Sequence, residues 1–204
     1  MIVFLLFLQI LPSAESVRYE TNEKGKIGSL AATSYRDSLG YHIFYVSDRE
    51  ITILLDTTNL STLSAKKIIN GELVFEFEKA DKINVFFKGR EYNHNDENPV
   101  YDRHTLDFAL RGFDYHMDFK IMFRLHVPEL TIVNAELEVL GEEDMVTPAG
   151  SFQCWKIQMK PRVIFFTRRF FFYIEKDYPH RFIKYTDSSG KNSITLIEYQ
   201  SQVN

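Results

Sequence analysis

Between Glu136 and Lys160 the chain reads E-L-E-V-L-G-E-E-D-M-V-T-P-A-G-S-F-Q-C-W-K-I-Q-M-K, and no other stretch restricts the fold as strongly. On its first arm Ala135, Leu137 and Val139 alternate with Glu136 and Glu138. On its second arm Trp155, Ile157 and Met159 alternate with Lys156, Gln158 and Lys160. Side chains of a strand point to opposite faces in turn, so this period puts one face on a core and the other in water. The arms are expected to meet through an acidic loop and a tight Thr147-Pro148-Ala149-Gly150 turn. Pro148 presets φ for such a turn and Gly150 tolerates positive φ.

The same rhythm runs through most of the chain. Short alternating runs are expected at Arg18–Asn22, Gly28–Tyr35, Tyr41–Tyr45, Glu50–Leu55, Thr62–Ile69, Leu73–Glu78 and Ile83–Phe87, with turn residues between them. Asn70-Gly71 is the strongest short hairpin signal among those turns. Turn signals every eight to twelve residues predict an antiparallel meander. Phe119, Ile121, Phe123, Leu125 and Val127 then alternate with Lys120, Met122, Arg124 and His126. On that register Phe123 is buried and Arg124 wet. The last strands are expected at Arg181–Thr186 and Ser193–Tyr199, while Val163–Ile174 is apolar on both faces except at Arg168-Arg169.

One helix interrupts the strands, roughly Tyr101 to Phe113. Asp102 is its N-cap candidate, and Leu106, Leu110 and Phe113 form one stripe. Such a stripe must be buried, and the concave face of the sheet is the available partner. The fold class expected is therefore mainly β: a single curved antiparallel sheet, half-barrel or open barrel, with one short helix on its concave face. With 204 residues and 45% hydrophobic content, a single domain with a sizeable core is the default. Aromatic content of 15%, with 18 Phe, 11 Tyr and one Trp, suits pleated, half-buried surfaces.

Met1–Ser16 stands apart. Ile2–Leu11 is an uncharged apolar run broken by Gln9, followed by Pro12 and the small-x-small triplet Ala14-Glu15-Ser16. This reads as a secretory leader cut after Ser16, leaving residues 17–204 as one β-rich domain; the alternative reading of the run is a buried first strand. The run is too short to span a bilayer, and no integral membrane span is expected in the mature chain.

Several function classes recede. A formal net charge of -4 implies no polyanionic partner, so no nucleic acid is expected. The six histidines are scattered without ligand spacing and Cys154 is the only cysteine, so no metal site and no internal disulfide are expected. Cys154, on a strand beside Trp155, reads as a small buried hydrophobe rather than a nucleophile. His104 and Asp107 sit one helical turn apart, and Glu142-Glu143-Asp144 precede a turn; both read as solvated polar groups. The hydrolase nucleophile elbow, the phosphate-binding loop and the dinucleotide fingerprint are all missing, so no catalytic residues and no cofactor are assigned.

The run Glu142–Lys156, with T-P-A-G-S-F-Q-C-W-K at its heart, resembles a bacterial cell-envelope family, domain of unknown function 3108. Asp102–Gly112, ending in L-R-G, resembles that family's helix. Phe172–Lys184, containing Y-I-E-K-D-Y-P-H-R-F-I-K, resembles its aromatic strand and return strand. The resemblance implies an exported envelope protein whose curved antiparallel sheet is similar to lipoprotein-carrier folds and whose helix plugs the concave side. The family brings no catalytic residues. This chain departs from it in the aromatic segment Val163–Ile174, which alters the expected pocket.

Inward-capable rings at Phe119, Phe123, Trp155 and Phe171 are the ligand-binding candidates, coating a concavity that holds a lipid or other apolar ligand between sheet and helix. The same rings read equally as ordinary core packing. A second class is an interaction module that docks to an envelope protein through the Phe165–Phe172 region. A third is a hydrolase whose site is not visible in the sequence.

Overall fold

The computed structural model describes residues 11–47, 49–128, 131–163 and 168–202. Their strands run in chain order as β1 (Ala14–Glu23), β2 (Lys26–Arg36), β3 (Tyr41–Val46), β4 (Arg49–Leu55), β5 (Thr62–Ile69), β6 (Glu72–Lys79), β7 (Ile83–Phe87) and β8 (Arg90–His94). After β9 (Val100–Asp102) comes a helical segment, Arg103–Gly112, in which one α turn, Leu106–Ala109, is flanked by 3-10 turns. The strands resume as β10 (Lys120–Val127), β11 (Thr131–Thr147), β12 (Gly150–Pro161), β13 (Phe170–Glu175), β14 (Phe182–Asp187) and β15 (Asn192–Gln202).

Among the described residues all these strands belong to one sheet, ordered β8-β7-β6-β5-β4-β3-β2-β1-β15-β14-β13-β12-β11-β10-β9. Sequence neighbours pair along both arms, and β1 joins β15 in the middle. The pairing is antiparallel except for β9, which lies parallel to β10. The sheet is open, because β8 and β9 are edges with no ladder between them. It curls far enough that its β9–β10 edge lies on β5 and β6 through side chains. The Asp102 amide donates to Thr62 Oγ1 at 2.9 Å, and the His126 ring lies 5.8 Å from Phe75 and 5.1 Å from Phe77.

Alternation explains the core. Tyr41, Ile43 and Tyr45 on β3, Ile51, Ile53 and Leu55 on β4, Phe75 and Phe77 on β6, and Leu137 and Val139 on β11 are buried. The intervening residues are mostly exposed or half-buried, as a sheet with one packed face requires. At the β5–β6 turn Asn70 and Gly71 take φ of 52° and 79°, the paired left-handed conformation of a tight two-residue hairpin.

Leu106, Phe108, Ala109 and Leu110 are all buried, so the helical segment is surrounded rather than lying on a surface. Asp102 caps it, its carboxylate accepting from the His104 amide at 2.8 Å. The sequence places the helix start at Tyr101, but Val100–Asp102 is drawn into the sheet beside β10. Leu60 packs so close to Gly112 that a Cβ there would stand 3.0 Å from Leu60 Cδ1. Among the described residues no helix is long and apolar enough to cross a membrane.

Two expectations change. The acidic stretch Glu142–Asp144 is not a loop: β11 runs straight through it to Thr147, with a bulge between Val139 and Gly141. Its acids are held by cations, Glu143 by Lys156 at 2.8 Å and Glu142 by Lys176 at 2.7 Å, so strand pairing there meets no like-charge penalty. Glu136 is not wet either. Lys120 and Lys160, each at 3.4 Å, and Arg162 cover it. The Arg162 hydrogen bond, ahead of the other contacts, holds its pKa below the ordinary value.

Candidate functional site

The helical segment carries Arg111 into the rolled sheet and leaves Asp107 half-buried and Arg103 exposed. Arg111 follows Leu110 on the last turn, and its side chain is 1% exposed against 0% for Glu15 on β1. Its two terminal nitrogens grip the Glu15 carboxylate, one to Oε1 and the other to Oε2 at 3.1 Å. The second nitrogen also donates to the Pro179 carbonyl at 2.9 Å. Tyr199 on β15 completes the carboxylate shell, donating to Glu15 Oε2 at 2.9 Å. Burial by itself would lower the Arg111 pKa, but Glu15 holds it above the ordinary arginine value. Arg111 Nε, equally buried, has no hydrogen-bond partner among the described residues.

A second guanidinium lies nearby. Arg181 is bidentate on Glu175, at 2.6 and 2.5 Å, and its Cζ stands 4.9 Å from the Tyr199 ring centroid. One turn earlier on the segment, the Tyr45 hydroxyl donates to Asp107 Oδ1 at 2.5 Å. Burial pushes the Asp107 pKa up to about 6 against the opposing pull of that bond. Tyr19, 1% exposed, packs edge-on against Phe182 at 5.5 Å. Burial, then Asp107, raises its pKa well above the ordinary tyrosine value.

A crevice runs between these groups where the helical segment meets β1, β14 and β15. Val17, Phe182 and Leu196 form its apolar wall, and Tyr19, Tyr199, Arg111 and Arg181 its polar one. It is too narrow to admit a water molecule. A larger hollow of about 220 Å³ lies at the β3–β4 and β5–β6 hairpin ends, lined mainly by polar side chains such as Arg49, Glu50 and Asn70.

A second buried polar cluster sits at the seam. Asp102 is fully buried, its Oδ1 meeting His104 Nδ1 at 2.8 Å and its Oδ2 meeting His126 Nδ1 at 2.6 Å. Burial would raise the Asp102 pKa, but His104 and then His126 hold it below the usual carboxylate range. The two imidazoles face one carboxylate, and among the described residues no group of three or more side chains is placed to hold a metal ion.

Of the four ring candidates, the structure brings two together. Phe119 and Phe123 both pack on Phe113, at 6.1 and 6.3 Å, beside Tyr101 and Tyr115. Trp155 is half-buried, with Lys176 Nζ 4.6 Å above its ring. Phe171 pairs with Gln158, whereas Trp155 pairs with Ile174 three residues further along β13, so those two rings point to opposite faces. Residues 164–167 lie outside the described residues, and with them part of the Phe165–Phe172 docking region. Arg168 and Arg169 are exposed, Phe170 and Phe171 half-buried, and Phe172 buried.

Other candidates separate. His104 turns to Asp102 and Asp107 to Tyr45, so neither is the solvated polar group that the sequence suggests. Cys154 is a buried free thiol; burial, then Glu175, pushes its pKa up to about 12, which leaves it a packing group. The sequence reading missed Arg111, Glu15 and Arg181. The one signal present was an arginine between Leu110 and Gly112 on an otherwise buried segment. His126 was placed on the wet face and is 1% exposed.

No protein-family model and no curated protein matches the chain, so the resemblance to domain of unknown function 3108 gains no support. Solved structures do match. A beta-barrel-like protein of domain of unknown function DUF1849 from Brucella abortus aligns over 94% of this chain and 99% of its own, at 12% identity and a TM-score of 0.59. A protein described as a lipoprotein from Parabacteroides distasonis aligns over 94% and 98%, at 12% identity and a TM-score of 0.38. One described as exported, with a YmcC-like fold, from Bacteroides fragilis aligns over 95% and 99%, again at 12% identity and 0.38. The last two superpose too loosely for anything to be transferred from them. The chain is thus similar in fold to a beta-barrel-like protein along nearly its whole length.

Proposed function

We propose that this is an exported cell-envelope protein that holds an apolar or amphipathic ligand between the sheet and the helical segment, and that it is not an enzyme. Export rests on the apolar run and small residues of Met1–Ser16. Ligand binding rests on one observation above the rest: the helix–sheet contact is a crevice with apolar walls and a buried charged end, where Glu15 and Arg111 are almost wholly removed from water. Buried ion pairs are weak stabilisers compared with apolar packing of the same volume, so a role beyond stability fits this one. Because the crevice excludes water as it stands, a ligand enters by separating the helical segment from β1, β14 and β15. Phe119 and Phe123, clustered on Phe113 just beyond that segment, are the ring candidates this reading favours.

The closely filled interior supports a second reading, an interaction module that docks to an envelope protein through the strand carrying Phe170 and Phe171. Lipid extraction and mass spectrometry of protein purified from its native envelope, with a fluorescent fatty-acid probe as control, separate the two. A stoichiometric apolar ligand, or saturable probe binding weakened by Phe123→Ala in a folded variant, is the expected result. Absence of both defeats ligand binding and leaves the interaction module.

A further inference from the structure

The polar residues lining the crevice are two arginines and two tyrosines, Arg111, Arg181, Tyr19 and Tyr199. The acids that balance the charges, Glu15 and Glu175, sit behind their partners and do not line it. A space walled by Val17, Phe182 and Leu196 therefore meets two guanidiniums and two phenols, each guanidinium already paired with one carboxylate. On one of these side chains Arg111 Nε is buried and unpartnered among the described residues. A buried donor left without an acceptor is costly, and an incoming oxygen would relieve it. Arg181 is the more accessible of the two guanidiniums, its side chain 25% exposed, and it flanks the Tyr199 ring that separates it from the Glu15–Arg111 pair.

From this geometry we infer that the crevice takes the oxyanion head of a single-chain amphiphile, with Arg111 Nε and the Arg181 guanidinium as donors and the tail against Val17, Phe182 and Leu196. The inference rests on the ligand-binding reading above and adds the head-group chemistry. A neutral head of the same size meets the same apolar wall but offers the unpartnered Arg111 Nε only a weaker, uncharged acceptor. Charge-assisted hydrogen bonds to an oxyanion are stronger than neutral ones, and guanidinium suits both carboxylate and phosphate.

Titration of the delipidated full chain with laurate, methyl laurate and dodecyl phosphate tests it. The acid is expected to bind at least about tenfold more tightly than its ester, the equivalent of one charge-assisted bond. Laurate against dodecyl phosphate identifies which oxyanion is preferred. In the double variant Glu175→Gln/Arg181→Gln, which removes both members of that pair and leaves no stranded charge, the preference for acid over ester should fall below about threefold. Equal binding of acid and ester, or an unchanged preference in the folded variant, overturns the head-group inference while ligand binding stands. Binding of none of the three probes overturns both. Should the double variant not fold, the acid–ester comparison on the unmodified chain decides.

Discussion

Replacing Arg111 with Met isolates what the interior charge pair contributes. The substitution keeps an unbranched apolar side chain of similar reach and strands Glu15, whose side chain is 0% exposed, with the Tyr199 hydroxyl as its remaining donor. Breaking a buried pair in this way costs about 3–5 kcal/mol, because the surviving charge has lost its partner and cannot recover water. Release of the Pro179 carbonyl adds to the loss. With a urea dependence of about 2 kcal/mol per molar, the midpoint of unfolding should fall by roughly 1.5–2.5 M. Glu15→Gln in the same background removes the stranded charge while keeping an acceptor for Tyr199, so the double variant should regain at least about half of the loss. Equilibrium urea unfolding of the three variants and the unmodified chain closes the cycle. A midpoint shift under about 0.5 M for Arg111→Met, or a double variant as unstable as the sum of the singles, would refute the burial and coupling argued for this pair.

Three further outcomes are expected. Asp107 has a folded pKa of about 6 against an ordinary 3.8, so the folded state binds its proton more tightly. The associated stability is full below the unfolded value and is lost as pH rises through about 6, a swing of about 1–2 kcal/mol once partial exposure is discounted. Urea unfolding at pH 5 and pH 8 should show the part of that swing lying above pH 5, about half of it, and Asp107→Asn should abolish it by stabilising the chain at pH 8. Phe123→Asp should cost at least about 3 kcal/mol more than Met122→Asp, because the first buries an unpaired carboxylate and the second leaves it wet. Equal melting temperatures would mean the faces of β10 are reversed; Met122 is a cleaner control than Arg124, which is tied to Asp96 at 2.7 Å. Finally, intact mass of the protein from its host should show a leader removed no later than Ala14, keeping Glu15, rather than after Ser16. A mature chain beginning at Val17 would defeat this, and one retaining Met1 would defeat export.

What the sequence made legible is what local periodicity controls. The faces of β10 and β11, the Asn70-Gly71 and Thr147–Gly150 turns and the Asp102 cap follow from alternation and turn chemistry within a few residues. Strand length was less legible. Three consecutive acids look like a loop until Lys156 and Lys176, on other elements, supply the compensating charge. His126 failed for the same reason. Its place in the alternation is the wet face, but the sheet curls until β6 covers that face and Asp102 takes the ring nitrogen.

Arg111 and Glu15 mark where reading by neighbours runs out. They are 96 residues apart, and nothing near either residue signals the other. Glu15 was further hidden because Ala14-Glu15-Ser16 satisfies two physical descriptions at once. Small residues in extended conformation suit a processing enzyme's cleft, and an alternating Ala-Glu-Ser-Val suits the first strand of a sheet. The structure shows the second pattern: Ala14 pairs with Tyr35 and Gln202, and the ladder continues without a break through Ser16 to Val17 on the β2 side. A cut after Ser16 would remove these rungs and leave a guanidinium buried without its carboxylate. The charge that makes Glu15 look out of place in an apolar leader is the charge that the interior arginine requires.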